Sequence, residues 1–117
     1  MMVNFPKTIG YWQMDINGED AKLVLKGDDA GNLSGTINDT QQVLGFWDGQ
    51  QSVTFLRVVD ANDPTSVQVF SGFLSSSGVG IDQISYSLVG TYQAFTGPGV
   101  DAQNNVFEWT ASTTTVV

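Results

Sequence analysis

From Val43 to Val59 the chain reads Val-Leu-Gly-Phe-Trp-Asp-Gly-Gln-Gln-Ser-Val-Thr-Phe-Leu-Arg-Val-Val. Two runs of β-branched, aromatic and aliphatic residues flank Asp48-Gly49, a dipeptide that supplies the positive φ a tight hairpin needs. Each run is too short and too β-branched for a buried helix, so the stretch predicts a strand, a turn and a strand. The rest of the sequence repeats the pattern and offers no helix with an apolar stripe.

Taken in order, Thr8 to Ile16 alternates, with Trp12, Met14 and Ile16 on one face, and Asn17-Gly18 is a hairpin turn. Strands follow over Ala21–Lys26, Leu33–Ile37 and Gln41–Trp47, with turns at Gly27–Asn32 and Asn38–Thr40. Asp60 to Pro64 is a loop in which Pro64 forbids strand continuation. Ser66–Leu74, Ile84–Ala94 and Val106–Ser112 are the remaining strands. Small polar residues over Ser75–Gln83 predict a flexible connection, and Thr96–Asn105 a long loop.

A glycine recurs inside the predicted strands at Gly10, Gly35, Gly45, Gly72 and Gly90. Two positions on, the same face carries Trp12, Ile37, Trp47, Leu74 and Tyr92. Glycine weakens a strand interior, and strongly curved sheets give the repetition a reason. About eight short strands in a meander, closed to remove exposed edges, predict an all-β chain: a single-domain, up-and-down antiparallel β-barrel. An open sandwich is the competing arrangement. The 117 residues make one domain, 1–117, with Met1–Lys7 a loose leader or a plug and Thr113–Val117 a fraying tail.

With no cysteine and no histidine, thiolate chemistry, His-based metal sites and the Ser-His-Asp arrangement are excluded, and no enzyme and no cofactor are expected. A net charge of −8 with four cationic side chains argues against nucleic acid and against anionic membrane. No apolar span or secretory leader is visible, so the expected location is cytoplasmic.

Gly10-Tyr11-Trp12 resembles the Gly-x-Trp that opens the first strand of calycin barrels. Gly31-Asn32-Leu33-Ser34-Gly35-Thr36 is similar to a hairpin of the avidin and streptavidin group, and Phe70-Ser71-Gly72 to a segment where that group carries Trp-Ser-Gly. The resemblance implies a barrel with a calyx. Ile37, Phe70 and Leu88 stand where that family places biotin-contacting tyrosine and tryptophan, so biotin is not the expected ligand; Asp39 and Thr40 remain polar candidates. Phe46-Trp47-Asp48, Val53–Arg57 and Asn62-Asp63-Pro64 also resemble a small bacterial family, which brings no activity with it.

Trp47, Phe70, Tyr92 and Trp109 are candidates to line an aromatic, ligand-binding calyx, against the alternative that so small a barrel is filled by its own side chains. By the resemblance, Trp12 would plug the closed end. Arg57, the only arginine, either enters the barrel and binds a carboxylate or, one register away, is a solvated charge. Asp15 and Glu108 have glycosidase-like chemistry but fall on the polar face. Asp60–Asp63 lacks the glycine and closing glutamate of a calcium loop, and Gly78-Val79-Gly80 has no helix after it. The expected function is a non-catalytic barrel binding a small, partly apolar ligand in its mouth; the alternative is a filled barrel acting as an oligomeric or protein-interaction module. The glycine register turns Leu44, Phe46, Val67, Val69 and Phe73 outward, and these predict an apolar patch that joins a homo-oligomer, a dimer first.

Overall fold

A computed structural model describes residues 4–7, 10–62, 66–78, 80–95 and 106–116. The alternation of buried Trp12, Met14 and Ile16 with exposed Gln13 and Asp15 gives β1 (Trp12–Ile16), and the same two-residue period recurs along the chain. It continues as β2 (Glu19–Gly27), β3 (Asn32–Ile37), β4 (Gln41–Trp47), β5 (Ser52–Val58), β6 (Val67–Gly78), β7 (Gln83–Phe95) and β8 (Phe107–Val116). Every strand pairs antiparallel with its sequence neighbour, and β8 returns to β1 from Gln13–Ser112 to Ile16–Trp109. The predicted closed eight-stranded antiparallel barrel is therefore the fold, and no helix occurs among the described residues.

The turns follow their chemistry, with one correction. Asn17 and Gly18 both take positive φ, 51° and 93°, as a two-residue hairpin turn requires. Asp48-Gly49, however, is not a two-residue turn, because β4 ends at Trp47 and β5 resumes only at Ser52. The Asp48 carboxylate instead accepts the backbone N–H groups of Gln50, Gln51 and Ser52 at 2.8, 2.8 and 3.0 Å. That side-chain cap organises a four-residue loop, and Gly49, at φ 83°, takes its left-handed position.

Three boundaries differ from expectation. Gly10 has φ 89° and lies outside β1, which begins at Trp12. Ser75–Gly78 is the end of β6, paired through Gly78–Ile84, where polar composition predicted a flexible connection. Thr113 to Val116 continues β8 as far as Gln83–Val116, where fraying was expected. Strands β6, β7 and β8 thus project past β5, whose pairing stops at Ser52–Phe73, and past β1, whose pairing stops at Gln13–Ser112. The parts of the predicted loops at Asp63-Pro64, Val79 and Thr96–Asn105, and Val117, lie outside the described residues.

Side chains fill the interior. At the end where β1 begins, Phe5 packs on Trp12 and edge-on to Trp47, with ring centroids 5.9 and 5.5 Å apart. A Cβ on Gly27 would come within 2.8 Å of the Phe5 Cβ, so the missing side chain makes room for this plug. Phe5 is 3% exposed, which decides the leader question for that residue: it closes the barrel. In the middle, Phe70 stacks between Phe55 and Tyr92 at 4.9 and 4.7 Å, with Trp109 edge-on to Phe55 and Phe70. The glycine pair Gly72–Gly90 lies beneath Trp109; a Cβ on Gly90 would fall on the Ser71 carbonyl. Glycine here is a packing requirement of curved walls around large rings.

Candidate functional site

Among the described residues, the end opposite Phe5 is bordered by the β1–β2 and β3–β4 turns. Continuing the inward register from Val53 and Phe55 carries Arg57 into this mouth, which resolves its two possible orientations. Val43 pairs with Arg57, and Gln68 pairs with it from the other side. The guanidinium Nε donates to Gln41 Oε1 at 2.7 Å, Nη2 donates to the same oxygen, and Nη1 donates to Gln68 Oε1 at 3.0 Å. Gln41 is itself oriented, since its Nε2 donates to the Val59 carbonyl at 2.9 Å. Its amide oxygen is thereby aimed at the arginine.

A guanidinium has five N–H donors, and the described residues take up three of them, Gln41 and Gln68 being the acceptors, and leave two. The one ion pair among the described residues joins Lys22 to Asp39 at 3.2 Å, on the outside. Arg57 is therefore a half-buried cation held by neutral amide oxygens. Burial pushes its pKa below the ordinary arginine value, while Tyr92 and then Glu19 pull it back up; the group stays charged at neutral pH. Burial in turn raises the Tyr92 phenol above its ordinary value, opposed by Arg57.

Around this cation Ile16, Asn17, Glu19, Asp20, Ala21, Asn38, Gln68 and Tyr92 enclose a cavity of about 240 Å³. Ile16, Ala21 and Tyr92 give it an apolar flank, and the turn residues a polar rim. Its charge is divided: the cation sits at the inner wall, and the carboxylates of Glu19 and Asp20 are exposed at the rim.

The expected ligand-lining residues do not gather in one place. Arg57 and Tyr92 share the mouth, while Trp47 stands at the far end against Phe5. Phe70 and Trp109 are buried in the middle of the core. Ile37 and Leu88 are buried in the wall, and Asp39 is exposed and paired with Lys22. Asp15 and Glu108 lie on the outer face, where Asp15 Oδ1 accepts the Gly18 N–H at 2.8 Å. Gln41 and Gln68 were missed, although the alternation that turns Val43 and Phe70 inward places a glutamine inward two residues before each. No cluster of metal-binding side chains occurs among the described residues. Nor is any helix there long and apolar enough to cross a membrane. Leu44, Phe46 and Phe73 point outward and are exposed, and Val67 and Val69 are half-buried on the same wall. Comparison with family models, with curated proteins and with solved structures finds no match to this chain.

Proposed function

We propose that the barrel is a non-catalytic binding protein whose mouth takes a small carboxylate-bearing molecule. One observation carries the reading: Arg57, half-buried, keeps two N–H donors and only neutral partners among the described residues. Taking a cation partly out of water is costly, and a carboxylate across the two remaining donors offsets that cost with charge-assisted hydrogen bonds. The apolar part of the ligand would lie on Ile16, Ala21 and Tyr92. The filled interior keeps it at the mouth, so the ligand is small.

Arg57 is the only arginine, so its Nε–H gives a single assignable resonance. Titrating acetate and then benzoate should move that resonance saturably, benzoate at lower concentration, and native mass spectrometry of the purified protein should show a retained acid. An Nε–H unmoved by either acid would end this reading. The packed core favours a second one, in which the barrel acts through its outer surface as an oligomeric module.

A further inference from the structure

The outer wall is divided by charge. Strands β3 to β7 carry one charged residue, Arg57, and it faces the mouth cavity. The outward strand charges, among them Asp15, Lys22, Lys26 and Glu108, all lie on β1, β2 and β8. On the neutral side Leu44, Phe46, Phe73 and Val89 are 49%, 64%, 60% and 55% exposed.

Register turns this into a relief. One row across the wall runs Phe46–Thr54–Ser71–Thr91, and the row beside it Ser52–Phe73–Val89. The first row drops from a prominent ring to three short side chains. Between Ser52, Thr54, Ser71, Phe73 and Thr91 this leaves a hollow of about 270 Å³ that begins at Thr54, the cross-strand partner of Phe46, and extends over β6 to β7. A knob and a socket therefore lie side by side on one face.

We propose that a second copy of this chain docks on this wall about a twofold axis, each Phe46 ring seated in its partner's hollow. A twofold interface places the same patch on both subunits, so knob and socket must share one surface, as they do here. Charge selects the same occupant. Each copy carries −8, and apposing these walls keeps the charged strands β1, β2 and β8 of the two copies apart. Asp48, at the edge of the patch, has its carboxylate held by the Gln50, Gln51 and Ser52 N–H groups. The four exposed apolar side chains present on the order of 500 Å². With a polar rim that approaches the ~800 Å² per partner of a standard interface. This inference deepens the second reading, and carboxylate binding at the mouth stands or falls separately.

Sedimentation velocity at micromolar protein should show a species of twice the 12.6 kDa chain mass. Phe46→Asp removes the knob and Ser71→Trp fills the socket, and each should weaken association roughly a hundredfold or more. Gln13→Lys, on the opposite wall, should leave it unchanged. The thermal transition followed by circular dichroism reports whether each variant keeps its fold, and Ser71→Trp, with Phe46 intact, keeps the test decisive if Phe46→Asp does not fold. A wild-type monomer at the highest concentration, a dimer that survives both substitutions, or a wall occupied instead by a different co-purifying protein would overturn the proposal.

Discussion

Trp109 lies across Gly72, and its indole Nε1 donates to the backbone carbonyl oxygens of both Ser71 and Thr91 at 3.1 Å. One side chain of the last strand thus fastens two other strands from inside the barrel. The contact exists because Gly72 and Gly90 bring no side chains there: a Cβ on Gly72 would stand 2.8 Å from the indole ring. Aromatic packing and strand curvature are one arrangement, and neither survives alone.

Gly90→Ala should therefore be more damaging than its size suggests. Its methyl would meet the backbone of β6, which cannot yield as a flexible side chain can. A loss above about 3 kcal/mol is expected, or no folded protein at all. Trp109→Phe, which keeps a ring but removes the indole N–H from both carbonyls, should cost about 1–2 kcal/mol. Urea denaturation measures both.

Removing the plug should loosen the closed end. Phe5→Ala deletes a ring packed on Trp12 and Trp47, and large-to-small aromatic changes of this kind cost about 3–5 kcal/mol. The same change should let water reach the two indoles and red-shift tryptophan emission. An unshifted spectrum with unchanged stability would show that Phe5 contributes nothing to closure.

Acid should act through the β4–β5 loop. The Gln50, Gln51 and Ser52 N–H groups hold the Asp48 carboxyl below its ordinary value of 3.8. A folded-state pKa that lies below the unfolded one stabilises above the unfolded value, and the contribution fades as pH falls through the folded value. Melting temperature followed from about pH 5 to pH 2 should fall less steeply in Asp48→Asn than in wild type. Asp28, lowered by Asn32 side-chain and backbone bonds, supplies the same trend in both proteins.

At the mouth, Arg57→Met should abolish acetate and benzoate binding while changing stability by no more than about 1 kcal/mol, because a desolvated cation is exchanged for an apolar side chain. Biotin should give no heat in calorimetry at micromolar protein. Ile37, Phe70 and Leu88 fill the wall and interior with apolar side chains. A nanomolar biotin isotherm would contradict the packed core.

Much of the fold was legible because alternation and turn chemistry are local. Asn17-Gly18 and the inward path of Trp12, Met14 and Ile16 needed nothing beyond neighbouring residues. The orientation of Arg57 was not legible, since Val53 and Phe55 on one face and Leu56 and Val58 on the other are equally apolar. Only pairing with Val43 and Gln68 decides it. Ser75–Gly78 misled for a related reason: serine and glycine speak for a turn, yet cross-strand partners on β7 hold them extended. The hollow beside Phe46 was invisible, because it arises from residues on β5, β6 and β7 that register alone brings into one row.

The β1–β8 seam has a consequence for how the molecule comes into being. Gln13 meets Ser112 across nearly the whole length of the chain, whereas every other strand pair joins neighbours along the sequence. A ribosome can release six consecutive hairpins before β8, the second partner of the closing pair, exists. Until then the nascent sheet carries two raw edges. Closure entails a large loop entropy and belongs to the slow, non-local class of folding events. A chain stalled short of β8 would be the species most prone to aggregate, and its lifetime, more than the finished protein's stability, should set the yield in a cell.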